Sequence, residues 1–221
     1  MREILSTGHY EFPYTELHFP GLNTGEKILF VTRESPIVKK LRLAGLVVVD
    51  ICIFGLGWAL IGLLGTVMTL ASVLKLPLII LSGVIFLVGV WWITATYKKS
   101  VFIITTRRLT KIIYTTPFTW YQFSLGLDEI EDTGSYSSSY LEAAFGLGYF
   151  VARSGAAAIK NFKIVNITFA ADLHNYVNKL LYAFKHHADK ISEFRPFVPH
   201  LKGEARQKLL ESFPDYRTEF D

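Results

Sequence analysis

The stretch that decides the fold is TATYKKSVFIITTRRLTKIIY, residues 94–114, because two kinds of structure meet in it. An apolar run ends at Tyr97, and Lys98 and Lys99 follow it at once. From residue 101 onward the pattern changes to the period of two that is typical of a β-strand. The sequence therefore predicts that a membrane-spanning helix leads directly into a β-sheet.

Upstream of this junction, the apolar block 41–97 is long enough for two membrane-spanning helices. A helix needs about 20 apolar residues to cross a hydrocarbon core of about 30 Å. The block contains two such runs, at about 43–70 and 76–97, and Lys75 and Pro77 interrupt them. The block therefore predicts a transmembrane helical hairpin. As the buried hairpin of a soluble protein, it would leave too little chain to cover both helices.

Basic residues flank the apolar block on both sides, whereas the turn between its two runs contains only Lys75. Loops rich in lysine and arginine stay on the cytoplasmic side of a membrane. We therefore expect a multi-pass protein of the inner (cytoplasmic) cell membrane, with both termini in the cytoplasm.

Composition excludes several classes of function. The formal net charge of +4 suits a protein beside an anionic membrane and is too weak to indicate nucleic-acid binding. The single cysteine, Cys52, lies in the apolar block, so neither an intrachain disulfide nor a cysteine-rich metal site can form. No motif indicates a nucleotide loop, a zinc site or a nucleophile with its base. The sequence therefore predicts no enzyme activity, no catalytic residues, no cofactor and no metal.

Asp50 is an intramembrane polar residue in the first predicted helix. A carboxylate in the membrane is costly unless it is protonated, paired or hydrated, and such acids often mark ion pathways. Three interpretations stay open: a proton or cation pathway, a polar contact at an oligomer face, and an acid near the inner interface.

Small residues recur at helical spacing in both predicted helices. They are Gly55, Ala59 and Gly62 in the first helix and Gly89 in the second. Small side chains let helix backbones approach closely in lipid. These residues predict helix packing, either within the hairpin or between copies of the chain.

The segment after the junction, 98–187, contains a series of strand signals and then one helix. FTWYQFSLG, residues 118–126, is one strand signal, and LHNYVNKLLYAFKHH places its apolar residues on one face of an amphipathic helix. Strands followed by one packed helix indicate an α+β module or a small capped barrel. Residues 1–40 are predicted to form an N-terminal cytoplasmic segment. Its aromatic stretch HYEFPYTELHF (9–19) could lie in the membrane interface or bind a partner, but docking on the sheet is favoured. Residues 188–221 are predicted to form a linker and a short amphipathic tail helix.

Four segments resemble, in order, parts of the bacterial PH-domain membrane proteins. They are GEKILFVTRESP (25–36), VFIITTRRLTKI (101–112), LDEIEDTGS (127–135) and FGLGYFVARSG (145–155). The resemblance implies a PH-like domain, that is, a strongly bent antiparallel β-barrel capped at one end by the C-terminal α-helix. It implies no catalytic residues.

Five basic residues near the junction are candidates for lipid binding: Arg107, Arg108, Lys111, Lys98 and Lys99. Basic residues at an anionic membrane surface gain about 1 kcal/mol each. The alternative is that these residues set the topology or form ion pairs with acidic residues of the same chain.

These observations favour a non-enzymatic, membrane-anchored PH-like binding or scaffold module. Its expected partners are the bilayer, anionic phospholipid headgroups, a protein or further copies of the chain. The alternative function is a component of a transport or channel assembly that uses Asp50.

Overall fold

The computed structural model describes residues 2–3, 17–19, 21–66, 73–137, 140–155 and 161–198. The chain divides into two compact units. One is Pro36–Tyr97, and the other combines Met1–Ser35 with Lys98–Asp221.

The unit Pro36–Tyr97 consists of two antiparallel helices, α1 (Pro36–Gly65) and α2 (Lys75–Lys99, whose last two residues belong to the other unit). Proline suits the first position of α1, because the N–H that it lacks would have no partner inside the helix. At 1.5 Å per residue, α1 is about 45 Å long and α2 about 37 Å, so both exceed a hydrocarbon core of about 30 Å. Both helices are long and apolar enough to cross a membrane.

The surfaces of α1 and α2 are also typical of helices in lipid. Only 6% of the most apolar window of α1 is buried, and none of that window in α2. The core helix of a soluble protein would bury most of such a window under other parts of the chain. Helix α1 begins earlier than the predicted run 43–70, because basic residues near its start are part of the helix.

In the described residues of the second unit, seven strands form two antiparallel sheets. A pair of two-residue strands lies outside both sheets. The outer pair is β1 (Arg2–Glu3) with β2 (Leu17–His18). The strands of the larger sheet, in spatial order, are β3 (Ile28–Thr32), β4 (Val101–Thr105), β5 (Arg108–Tyr114) and β6 (Trp120–Gly126). Those of the smaller sheet are β7 (Ile130–Tyr136), β8 (Gly148–Ser154) and β9 (Phe162–Ile167).

Strand β4 lies at the centre of the larger sheet, with β3 and β5 on either side. All five of its residues are buried, as a β-branched run in a central strand should be. It pairs with β5 so that Ile103 lies opposite Thr110. The β-sheet predicted after the junction is therefore confirmed.

Two further helices follow strands of the smaller sheet: α3 (Tyr140–Ala144) and α4 (Ala170–His186). Helix α4 packs against β7 and β8 and buries Leu173, Val177 and Leu180 completely. This confirms the predicted amphipathic helix.

The chain after α4 continues along the core. A 3-10 helix (Ala188–Glu193) leads to Phe194 and Phe197, which are both buried. The N–H of Phe197 donates to the carbonyl of Leu29 in β3, at 3.0 Å. A linker was predicted from residue 188, but the described part of this segment belongs to the packed unit. The predicted tail helix lies outside the described residues.

The predicted α+β class is confirmed, but the closed barrel is not formed. In the described residues no strand ladder joins the two sheets. The break follows β6, which ends at Gly126, because the chain turns there before β7 begins at Ile130. Leu127 is buried in this turn, and its N–H donates to the carbonyl of Arg107 at 2.9 Å.

The helical hairpin is an insertion between two paired strands. Strand β3 precedes α1, β4 follows α2, and Thr32 lies opposite Phe102 in the ladder between them. The connections are 33–35 on one side and Ser100 on the other. Strand β3, which lies within the predicted N-terminal segment 1–40, thus belongs to the larger sheet.

Candidate functional site

The β4–β5 turn, which was predicted to bind lipid, contains an internal ion pair. The guanidinium of Arg108 contacts the carboxylate of Glu26 through Nε to Oε1 and Nη2 to Oε2, both at 3.0 Å. The side chain of Glu26 is fully buried, and that of Arg108 is 22% exposed. Arg108 also donates to the carbonyl of Gly21 and lies over the ring of Phe19. Arg108 therefore holds the segment before β3 against this turn.

Three groups donate hydrogen bonds to the Glu26 carboxylate. Besides Arg108, they are the hydroxyl of Thr105, at 2.6 Å, and the backbone N–H of Asn23, at 3.0 Å. Burial raises the pKa of Glu26, but these hydrogen bonds and the charge of Arg108 outweigh it, so the pKa is lowered from its ordinary value. Glu26 is thus held as a carboxylate. Its contacts connect the segment before β3 to the β4–β5 turn, so the turn has a structural role.

The other basic candidates differ in how far they are exposed. Arg107 and Lys98 are exposed, whereas Lys111 is half-buried with its ammonium over the rings of Phe123 and Phe162. Two of the five candidates, Arg107 and Lys98, therefore present their charge to the surroundings.

Lys99 contacts the hairpin between β5 and β6. Its Nζ donates to the carbonyl of Pro117 at 2.8 Å and lies 5.2 Å from the ring centre of Tyr114. Lys99, the last residue of α2, thus contacts the turn that connects β5 to β6.

Asp50 is bonded inside the helical hairpin. The hydroxyl of Ser82 in α2 lies 3.1 and 3.0 Å from its two carboxylate oxygens. This is a polar contact between the two helices of one chain. The sequence did not reveal it, because the partner is a serine 32 residues away rather than a charged residue.

The small residues of the two helices occupy different positions. A Cβ on Gly89 would lie 2.8 Å from side-chain carbons of Leu46, so this glycine lets α1 approach closely. Gly55 and Gly62 have open space where a Cβ would be, and Ala59 is exposed. The structure thus brings Gly89 into the helix contact and leaves the other three outside it.

Gly57 also lies at the helix contact. A Cβ there would lie 2.8 Å from Leu78. The sequence signal was its spacing, because Leu46, Asp50, Gly57 and Ile61 follow the three- and four-residue steps of one helix face.

A cavity of about 430 Å³ opens at the start of α4. Its lining includes Ser135 and Tyr136 of β7, Leu147, and the first residues of α4. Its lining is mixed, with hydroxyl and apolar groups. In the described residues, no cluster of three His, Cys, Asp or Glu side chains could hold a metal ion.

The β5–β6 hairpin exposes large aromatic side chains. Phe118 is 77% exposed, Trp120 54% and Tyr121 46%. The sequence indicated the strand but not this exposure. In a pleated strand with one packed face, every second residue would be buried. Here neighbouring residues are exposed on both faces, so the end of the hairpin projects beyond the packed part of the sheet.

Comparisons of the chain with protein-family models, with curated proteins and with solved structures gave no match.

Proposed function

We propose that the protein is a non-enzymatic, membrane-anchored binding module at the cytoplasmic face of the cell membrane. We also propose that the chain is related to the bacterial PH-domain membrane proteins. The order of its elements, antiparallel strands followed by one packed helix, supports this relationship. The observation that carries it is the insertion of the apolar hairpin between the paired strands β3 and β4.

This insertion ties the sheet to the membrane at two points. The connections between the sheet and the two helices are three residues and one residue long. A module held at a surface meets its ligands there at a high effective concentration, so even weak contacts are occupied. Attachment through two covalent connections suits a protein whose ligand lies at the membrane.

Anionic lipid headgroups are the ligand that the exposed charges favour. Arg107 and Lys98 are exposed, and each would gain about 1 kcal/mol near anionic lipid within one Debye length. Arg108 and Lys111 contribute less, because their cations are already engaged within the protein. The transport alternative has weaker support, because the carboxylate of Asp50 contacts Ser82 of the same hairpin.

The experiment that tests this function is native mass spectrometry of the full chain, released from micelles that contain phosphatidylglycerol or phosphatidylcholine. We expect preferential retention of phosphatidylglycerol, and loss of the preference in an Arg107→Glu/Lys98→Glu variant. Lys185→Glu is the matched control, because Lys185 is equally an exposed cation. Equal retention of both lipids by the wild-type protein would contradict the lipid part of the proposal.

Extraction of cell membranes with alkaline carbonate tests the anchor separately. We expect the full chain to stay in the membrane pellet, because two apolar helices cannot be removed by breaking ionic contacts. Release into the supernatant would contradict the membrane anchor itself.

A further inference from the structure

The hairpin between β5 and β6 has the chemistry of a surface that enters the membrane interface. We call residues 115–121 the aromatic tip. It exposes Phe118, Trp120 and Tyr121 close together, and a cluster of exposed apolar side chains is more informative than a single one. Tryptophan and tyrosine are enriched where a membrane meets water, because their rings are apolar and also carry a polar group.

The backbone N–H groups of residues 115–119 have their partners within the aromatic tip. The N–H groups of Thr115 and Thr116 donate to the carbonyl of Thr119, at 3.1 and 3.3 Å. Those of Phe118 and Thr119 donate to the hydroxyl of Thr116, at 3.2 and 2.9 Å. Pro117 has no N–H. The N–H groups of residues 115, 116, 118 and 119 therefore all have partners, which removes part of the cost of entering a medium poor in water.

Lys99 keeps the aromatic tip close to the point where the chain leaves the apolar helix. It follows Tyr97 by two residues, so the Cα atoms of these residues are at most about 7.6 Å apart. Its Nζ donates to Pro117 within the tip and lies over Tyr114, whose ring centre is 6.4 Å from that of Trp120. Within this unit, the aromatic tip thus contacts Lys99, the residue at which α2 ends.

We propose that the aromatic tip inserts into the headgroup and upper acyl region of the bilayer that contains α2. Phe118 and Trp120 contact the acyl chains, and Lys98 and Lys99 lie at the level of the phosphates. This inference rests on the proposed membrane anchor. It adds a third attachment to the two covalent connections and assigns the lipid contact chiefly to apolar rings rather than to Arg107.

A bilayer fits this surface better than a protein partner does. The rings stand on both faces of a narrow hairpin end, whereas a protein would need to enclose the hairpin from both sides. The exposed charge of Lys98 adds an attraction to anionic headgroups. Because insertion buries apolar area, the contact is expected to persist at high salt, unlike one made by exposed cations.

The test uses the full chain with Trp120 as its one tryptophan, obtained by changing Trp58, Trp91 and Trp92 to phenylalanine. The protein is reconstituted in phosphatidylcholine and phosphatidylglycerol vesicles in which part of the lipid carries bromine atoms near the glycerol end of its acyl chains. Bromine quenches tryptophan on contact. We expect the emission of Trp120 to fall by about half, at low and at high salt alike.

Two companion proteins complete the experiment. One retains Trp91, in α2, as its one tryptophan and reports whether the helix lies in lipid. The other lacks all four native tryptophans and carries Tyr140→Trp, at a position that is 96% exposed. Quenching of Trp91 and Trp120 without quenching in the Tyr140→Trp protein supports the proposal.

The other results each overturn a part of the proposal, either the insertion of the tip or the membrane anchor. Quenching of Trp91 without quenching of Trp120 overturns the insertion of the tip and leaves the anchor intact. No quenching of either overturns both. Equal quenching of Trp120 and of the Tyr140→Trp protein overturns the claim that lipid contact is specific to the aromatic tip, because the whole surface then contacts lipid.

A second variant tests the role of the rings themselves. Phe118→Ser with Tyr121→Ser removes two exposed side chains, so the fold should be retained, and circular dichroism verifies this. We expect the quenching of Trp120 to fall by about half. Unchanged quenching would overturn the claim that these aromatic side chains hold the tip in the membrane.

Discussion

At the level of single residues, Glu26 fixes the β4–β5 turn, because its buried carboxylate accepts hydrogen bonds from three groups. We expect Glu26→Gln to lower the free energy of unfolding near neutral pH by about 2–3 kcal/mol, because Arg108 loses its ionic partner. The change is measured by denaturant unfolding in detergent micelles, followed by circular dichroism. Glu193→Gln removes an exposed carboxylate and is the matched control.

The same ion pair makes stability depend on pH. Because the pKa of Glu26 is lowered in the folded protein, its contribution is complete above the ordinary pKa of about 4.3. The contribution is lost as the pH falls through the lower, folded-state value. We therefore expect a decline in acid that is smaller in Glu26→Gln. Parallel pH profiles of the variant and the wild type would contradict this account.

Asp50 and Ser82 allow a second test at the residue level. An asparagine at position 50 can still accept the hydrogen bond of the Ser82 hydroxyl, so we expect Asp50→Asn to change stability by less than about 0.5 kcal/mol. We also expect vesicles that contain either protein to leak protons equally. Ser82→Ala, which removes the donor, should cost about 0.6 kcal/mol. Proton leakage through the wild-type protein that Asp50→Asn abolishes would instead favour the transport hypothesis.

At the level of elements, two glycines of α1 form a matched pair. We expect Gly57→Leu to destabilise the α1–α2 contact by about 1–3 kcal/mol, because its side chain would collide with Leu78. Gly62→Leu meets no atom of the chain within 4 Å and should leave the contact unchanged. Unfolding of the helices in mixed micelles with increasing sodium dodecyl sulfate measures both. Equal stability of the two variants would contradict the helix contact described above.

The elements also show how far sequence alone reaches. Strand β4 and helix α4 were predictable, because the pattern that specifies each one lies within a few consecutive residues. The role of Arg108 was not, since its partner lies 82 residues earlier in the chain, beyond any local pattern. Trp120 was recognisable as a strand residue, but its exposure depends on where the packed part of the sheet ends.

At the level of the whole molecule, the insertion of the hairpin decides which fragments can fold. A fragment 98–221 lacks β3, Glu26 and the buried residues Leu29 and Phe30. Loss of several core side chains costs more than the roughly 5–15 kcal/mol that stabilises a domain. We expect this fragment to be unfolded by circular dichroism and by the narrow dispersion of its amide proton resonances.

A chain in which a short glycine-serine turn replaces 36–97 is the matched control for this fragment. It keeps β3 next to β4, where Thr32 and Phe102 already lie opposite each other. We therefore expect it to fold as a soluble module with dispersed resonances. A folded 98–221 fragment would show that β3 is dispensable.

The position of the hairpin between β3 and β4 also has a consequence for biosynthesis. Strand β3 leaves the ribosome before its partner exists, and under the proposed membrane anchor it must wait until both helices have been made and inserted. If only one helix entered the bilayer, β3 and β4 would emerge on opposite sides of the membrane and could never pair. The sheet can therefore be completed only after correct insertion, and a chain that inserts wrongly keeps an unpaired strand edge that quality-control proteases can attack.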